Sequence, residues 1–474
     1  MSFHKHLSLF LLSFFLVCNF FSVAQTAADS SFNSNPITIG NIIITGNKKT
    51  KNSIIFREIP FKTGDTISRK NFAVLITKAK QNLINTSLFN FVTVDTSIDI
   101  MQIATISVNV KERWYTWPNP IFEISERNFN TWLENRNLDR VSYGFYIVKN
   151  NFRGRKENIQ LRVRLGYAEQ YGMSYNIPYL TKKQNFGLGF SFAYARNHEI
   201  QYKTLENKQK FFKNTNKYVR EELSGRVRLS YREGIYTTKS FELRYNFAKV
   251  SDTIQYLAKN YFSNNSNYTE FFSMNYQFRR DERDNKPYPL NGYYFSVDIA
   301  EVGFGILKKE DFQLWRTDIL FDKYAQIHNR FYAAAGLKLK VTSAAEQPYF
   351  LQRGLGFSDF VRGYEYYVID GQDYGLLKTN IKYQLVKPRV IKMDFVPSEK
   401  FNNIHYAFYV NLFADAAYVY DNQYYKENFL ANKFLFGSGV GLDFVTYYDL
   451  VFRAEFAVNG LKQTGLFLHL TAPI

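Results

Sequence analysis

Cysteine is almost missing from this 474-residue chain: the one example, Cys18, lies inside an apolar leader. Residues 1–24 begin with Lys5 between two histidines, run apolar from Leu7 to Val23, and offer small residues at Ser22-Val23-Ala24. That is the pattern of a secretory signal peptide, too short and wrongly flanked for a membrane-spanning helix. Leu16-Val17 before Cys18 lacks the small residue that lipoprotein processing needs, so no lipid anchor is expected. With the leader removed no thiol remains, which excludes disulfides and thiol chemistry. Long apolar runs are also missing: none after residue 24 approaches the roughly 18–20 residues of a membrane helix. Catalytic signatures are absent as well, with no HExxH, no GxSxG and no phosphate-binding glycine loop. The four histidines beyond the leader (His198, His328, His405 and His469) stand apart from one another. No enzyme, metal site or cofactor is therefore expected.

What the chain has in quantity is aromatic residues, 18% of the total, with 46 Phe and 36 Tyr against 11 Pro. Mean hydropathy is nevertheless −0.32. An exported chain that is rich in aromatics, hydrophilic on average and free of spanning helices has the profile of a transmembrane β-barrel. Each strand there shows one face to lipid and the other to water, and aromatic girdles mark the interfaces. The net charge of +18, or +17 without Lys5, does not point to nucleic acid. The basic residues alternate with apolar ones instead of clustering on a helix, which suits a wet barrel interior or lipid phosphates.

Asp29 to Pro36 closes a polar linker (25–36) before a small domain expected over 37–113. Ile37, Ile39, Ile42 and Ile44 lead into the turn Gly46-Asn47. Thr50 can cap a short helix that Pro60 stops, and Ser68 a longer one with Phe72, Leu75, Ile76, Ala79 and Leu83 on one face. Phe91 to Asp95 and Ala104 to Lys111 complete a β-α-α-β-β unit, two helices on a three-stranded sheet. Ile42 to Asn47, Asn82-Leu83 with Leu88-Phe89, and Val108 to Arg113 give this unit a resemblance to a POTRA domain. The resemblance implies that unfolded polypeptides are received by strand addition at a sheet edge.

From Pro120 to the end, at 120–474, segments of 9–14 residues alternate with period two and are separated by turns. Leu188, Phe190, Phe192 and Tyr194 alternate with Gly187, Gly189, Ser191 and Ala193; Phe452, Ala454, Phe456 and Val458 alternate with Arg453, Glu455 and Ala457. About sixteen segments begin near residues 120, 141, 158, 172, 185, 217, 239, 267, 292, 310, 330, 374, 404, 433, 449 and 464, an even number as single-chain bacterial barrels require. No helices are available to cover a second layer, so the apolar face must meet lipid. The expected fold is a membrane all-β sixteen-stranded antiparallel barrel preceded by the α+β domain. Long connections at 199–216, 251–266, 344–373 and 418–432 belong on one side, and 388–403 is long where a tight turn is expected.

The longest connection contains Phe360-Val361-Arg362-Gly363-Tyr364. With Arg283-Asp284 before Pro289 and Gly292, Asn151-Phe152-Arg153-Gly154, and Phe413-Ala414-Asp415, it makes residues 37–474 resemble the BamA/TamA family of outer-membrane assembly factors, a POTRA domain plus a bacterial surface antigen barrel. The resemblance implies a loop folded into the lumen, with Arg362 of the Val361-Arg362-Gly363-Tyr364 motif docked on acidic wall groups. Asp415, on the polar face with Asn411, is the partner expected. The glutamate that the family often places on the twelfth strand is absent. The inward set is Lys378, Asn380, Lys382 and Gln384, and Asn380 stands where the acid would align, leaving Asp415 as the expected sole carboxylate. Ala417 replaces a glycine usual two residues after that aspartate.

Gln463, Gly465, Leu468 and Leu470 resemble a barrel-recognition signal, but the terminal aromatic is missing and Pro473 cannot donate to a ladder. A weak seam is expected between Ile121–Ser125 of the first strand and Leu466–Leu470 of the last. The resemblance implies a factor that helps outer-membrane proteins insert. Its partners would be unfolded outer-membrane or secreted polypeptides, outer-membrane lipid and accessory lipoproteins, with its N-terminal domain in the periplasm. A polypeptide translocator and a passive channel remain the alternatives. The mature chain is expected to begin near Gln25, to fractionate with the outer membrane, and to migrate faster on gels unheated than boiled. Recovery from the cytoplasm or the inner membrane would end the barrel reading.

Overall fold

The computed structural model describes residues 36–124 and 141–470, apart from 308, 309, 311, 344, 345 and 399. The expected leader, most of the linker, Ser125 and Pro473 lie outside the described residues.

The isoleucine-rich start of the small domain forms β1 (Ile37–Thr45), followed by α1 (Asn52–Phe56), β2 (Thr66–Ile67), α2 (Arg69–Ile84), β3 (Phe89–Ile98) and β4 (Ile103–Glu112). The sheet order is β2-β1-β4-β3, so it has four strands where three are expected. The added strand is two residues long and pairs with Ile37 and Thr38. A register shift at Gly40 moves the inward set of β1 from Ile37 and Ile39 to Ile42 and Ile44. Phe72, Ala79 and Leu83 of α2 are buried with Ile106, Val108 and Val110 of β4, and Leu75 and Ile76 pack at the margin. Lys51, not Thr50, occupies the cap position of α1. The Thr50 hydroxyl is used instead toward Tyr115 (3.1 Å) and Asn151 (2.8 Å).

The remaining chain alternates with period two because one face is apolar. It forms β5 (Thr116–Ile124), β6 (Val141–Phe152), β7 (Glu157–Gly166), β8 (Ala168–Ile177) and β9 (Phe186–Asn197). A separate hairpin follows, β10 (Glu199–Leu205) with β11 (Lys208–Lys213). Then come β12 (Arg220–Glu233), β13 (Thr237–Val250), β14 (Tyr268–Asp281), β15 (Gly292–Val302), β16 (Leu314–His328) and β17 (Phe331–Thr342). The last five are β18 (Asp373–Lys392), β19 (Asn403–Tyr420), β20 (Phe434–Thr446), β21 (Val451–Asn459) and β22 (Thr464–Leu470). Leaving out the hairpin, sixteen strands pair antiparallel with their sequence neighbours in one sheet. Every start falls within four residues of the expected one. The widest differences include β5, whose Pro118 and Pro120 look like a break yet pair with Ile147 and Phe145 of β6.

The sheet is inside out relative to a soluble sandwich. On β21, Phe452, Phe456 and Val458 are exposed while Arg453 and Glu455 between them are buried. On β18, Ile381 is exposed and Asn380, Lys382 and Gln384 are buried. The sheet also rolls up. The β10–β11 turn reaches the β19–β20 connection (Asn207 N to Asn428 Oδ1, 2.9 Å) and the β17–β18 connection (Asn207 Nδ2 to Val368 O, 3.1 Å). With Tyr349 N donating to the Asn260 carbonyl of the β13–β14 connection (2.9 Å), the four long connections meet over one end. The expected seam pairing is not observed: among the described residues β5 is paired to β6 and β22 to β21, with no ladder between β5 and β22. The long 388–403 connection is partly strand, since β18 extends to Lys392 and β19 begins at Asn403, leaving 393–402 as the loop.

The small domain covers the other end. Its backbone and side chains bond to six of the turns there, through Lys51 to Gly154, Arg57 to Gln184 and Gly234, Asn85 to Arg283, Asn90 to Lys400 and Arg113 to Asp449. Gly154, in the left-handed region (φ 69°), is close to Lys49: a Cβ there would lie 2.0 Å from the Lys49 carbonyl oxygen. Glu58 is the most buried of these contacts. Its carboxylate takes both Arg232 terminal nitrogens (2.6 and 2.7 Å) and the Tyr179 hydroxyl (3.1 Å). Burial alone would raise the Glu58 pKa, but Lys156, Arg232 and Arg57 outweigh it and hold it at about 2. A carboxylate depressed from its ordinary 4.5 stabilises docking fully above that value and loses the contribution as pH falls through 2. Glu58→Gln is expected to cost docking about 3 kcal/mol. A spin-label distance between domain and barrel should therefore broaden in this variant at neutral pH, and in the wild type below about pH 3. An unchanged distribution in both would show that Glu58 does not hold the domain.

Candidate functional site

The β17–β18 connection, 343–372, contains the sequence-predicted motif and turns inward against the wall. Arg362 is 1% exposed. Such burial is tolerable only with every donor direction answered. Its Nε and Nη2 bind the two Asp415 carboxylate oxygens at 2.8 and 2.5 Å, and its backbone N–H adds a third bond to Asp415 at 3.1 Å. Nη1 donates to Asn380 Oδ1 (2.8 Å) and to Glu455 Oε1 (3.3 Å), and Nη2 also donates to the Thr379 carbonyl (3.1 Å). The guanidinium carbon stands 4.0 Å from the centroid of the Phe413 ring. Asp415 is therefore not the sole carboxylate. Asn380 supplies a neutral acceptor at the place where an acid is missing, and Glu455, on β21, supplies the second negative charge.

The other motif residues seat the loop. Val361 and Tyr364 are buried with Leu355, Ile369, Leu376, Val419 and Leu435, and the methyl of Ala417 fills the same cluster. Gly363 is in the left-handed region (φ 93°), and its carbonyl accepts from Asn459 Nδ2 at 2.8 Å. The Tyr364 hydroxyl accepts from Gly460 N at 3.1 Å. Beneath the loop, β20 pairs Gly437 opposite Asp415, and a Cβ at Gly437 would lie 1.8 Å from the Arg362 carbonyl oxygen. Gly439 and Gly441 follow on the same inward face, where a Cβ would strike atoms of the neighbouring wall strands, the Phe456 carbonyl and the Asn411 side chain. The visible signal was Phe436-Gly-Ser-Gly-Val-Gly, glycine at every second position on one strand. Its meaning at Gly437, room for the loop's backbone, needed the partner.

The seam residues divide between faces. Leu468 and Leu470 are exposed on the outer face, while Gly465 lies inward beside Phe467, whose ring would meet a Cβ at 2.5 Å. They are not brought near Arg362, but inward His469 is, with its Nε2 3.5 Å from Glu455 Oε2. The two other family-like segments sit at the small-domain end. Asn151 bonds to Thr50, and the Arg283 segment sends Tyr288 into the lumen, where its hydroxyl meets Asp443 Oδ2 at 2.7 Å. Among the described residues no cluster of metal-ligating side chains forms.

Comparison with known proteins agrees with this architecture. A profile described as the Omp85 superfamily domain matches residues 151–464, and one described as POTRA, surface antigen variable number repeat, matches 37–113. Solved structures with similarity include BamA from Haemophilus ducreyi lacking POTRA domains 1–3, at 15% identity and a TM-score of 0.49, covering 94% of this chain and 85% of that one. CdiB from Acinetobacter baumannii is 14% identical with a TM-score of 0.46, covering 92% and 73%. CdiB from Escherichia coli is 9% identical with a TM-score of 0.46, covering 94% and 92%. No curated protein matches.

Arg362→Ala would leave two buried carboxylates facing each other's charge without the shared cation, a loss of about 3 kcal/mol or more. Asp415→Asn should be milder, since Glu455 and Asn380 still hold the guanidinium. Gly437→Ala should unseat the loop by collision alone. Limited proteolysis within 346–372 would rank the three; equal protection in all of them would mean that the loop is held by its apolar cluster instead.

Proposed function

Because the chain belongs to the Omp85 superfamily, whose members handle polypeptides at the outer membrane, we propose that it is an outer-membrane protein assembly factor with its small domain in the periplasm. The observation that carries this reading is the poverty of the two terminal strands. Among the described residues β22 has seven. Pro118 and Pro120 remove two donors from β5, and period two puts both gaps on the same edge. Strands that pair poorly with each other are the place where a client strand can pair instead, so that its backbone groups never meet lipid unbonded. The periplasmic domain offers its own sheet edge to unfolded chains, and the outward apolar face meets outer-membrane lipid. This activity needs no catalytic residue.

Export of a polypeptide through the pore is less well supported, because the 343–372 loop and the Tyr288 turn occupy the lumen and the small domain covers its mouth. All three would have to leave. The readings separate in liposomes carrying the purified protein and a urea-unfolded eight-stranded barrel as client. An assembly factor speeds the client's conversion to a heat-modifiable folded form, and deleting residues 37–113 removes most of the gain. Client found protease-protected but unfolded inside the vesicles would favour a translocator. Ion conductance with no effect on the client would favour a passive channel.

A further inference from the structure

The last strand is held from inside as well as by its ladder. On its outer side β22 presents Leu466, Leu468 and Leu470; on its inner side Phe467 and His469 meet the lumen loop. The Phe360 ring lies 4.4 Å from the Lys378 ammonium of β18 and stacks on the His469 imidazole (5.3 Å between centroids, 21°). Tyr366 packs on Phe467 at 5.4 Å, and the Tyr367 hydroxyl donates to Gln463 at 3.0 Å. His469 Nε2 lies 3.7 Å from Glu365 of the loop and 3.5 Å from Glu455 of the wall.

Glu455 is the joint. Its Oε1 faces Arg362 (3.3 Å) and its Oε2 faces His469 (3.5 Å), so one carboxylate touches both the loop's anchor and the last strand. An acid on β18 in place of Asn380 would neutralise Arg362 equally well but would stand four strands from the edge. Carrying that charge on β21 puts it beside β22. We infer that the seated lumen loop is a latch on the last strand, with Glu455 and His469 as positioning residues: withdrawing Arg362 removes the contacts of Phe360, Glu365 and Tyr366 to β22, and of Tyr367 to the turn that leads into it, together. This concerns the local stability of one strand and stands whichever way a client travels.

The test is hydrogen exchange on the full-length protein in lipid nanodiscs. All the hydrogen bonds of the Arg362 guanidinium described above go to β18, β19 and β21. Arg362→Ala should still speed exchange in 464–470 about tenfold, with 268–302 unchanged. A second variant, Phe360→Ala with Glu365→Gln, cuts the loop's contacts to His469 while leaving Arg362 paired. It should speed the same peptide while the loop stays protease-resistant. Glu242→Gln, which breaks ion pairs to Arg228 and Arg244 on the far wall, serves as control and should leave 464–470 alone. The latch is wrong if 464–470 exchanges at the wild-type rate in both variants, or if every strand accelerates equally.

Discussion

A barrel that turns its apolar side outward must satisfy its charges within its own lumen, and the Arg362 guanidinium is where this constraint is tightest. Water cannot answer its donors at 1% exposure, so the wall must. The planar fork fits the two Asp415 oxygens at 2.8 and 2.5 Å, which fixes orientation as well as charge. With that one fit go the loop's path, Gly437 on β20 that admits its backbone, and the burial of Val361 and Tyr364. A lysine would supply the charge without the orientation.

The opposite end solves the same problem with the signs exchanged. There the incoming segment carries the acid, Glu58, and the receiving wall carries Arg232 and Lys156. Burial pushes the Lys156 ammonium down to about 8 while Glu58 opposes the fall. Between the two ends runs a line of close polar groups: Arg362 to Glu455 (3.3 Å), Glu455 to Arg453 (3.8 Å), Arg453 to Asp443 (2.7 Å) and Asp443 to Tyr288 (2.7 Å). Tyr288 belongs to the turn whose Arg283 and Asp284 carbonyls accept from Asn85 of the small domain. Contiguity of this kind gives the loop and the domain a physical route to sense each other, although coupling itself is a property of energies, not of spacing.

Period two exposes a strand wherever one face is apolar and the other polar, which is why sixteen starts were legible to within a few residues. β5 starts at Thr116, four residues before the expected 120, because an edge strand tolerates Pro118 and Pro120. The small domain's fourth strand was illegible because two residues carry no period. At the site, Arg362 and Asp415 were legible through their sequence surroundings, whereas Glu455 was not. Ninety-three residues separate it from Arg362, and Arg453-Ala-Glu455 alone looks like any inward-facing stretch. Glu58 was hidden for the same reason: beside Arg57 it resembles an ordinary surface pair until a distant Arg232 is placed on it.

Which part yields under load follows from where the loop is anchored. Arg362 binds β18 and β19, which among the described residues are the longest strands of the sheet at 20 and 18, and it is tied through Glu455 toward β22, which has seven described residues. Each broken ladder bond in a lipid-facing strand leaves backbone groups with no water to answer them, so resistance rises with ladder length. The long pair is therefore the fixed end and the short strand the free one. With the loop as a latch, a pull on it would reach β22 before it distorts the wall. The position of the acid matters in the same way: a charge on β18 would serve Arg362 alone, while Glu455 on β21 touches both Arg362 and His469 of the last strand.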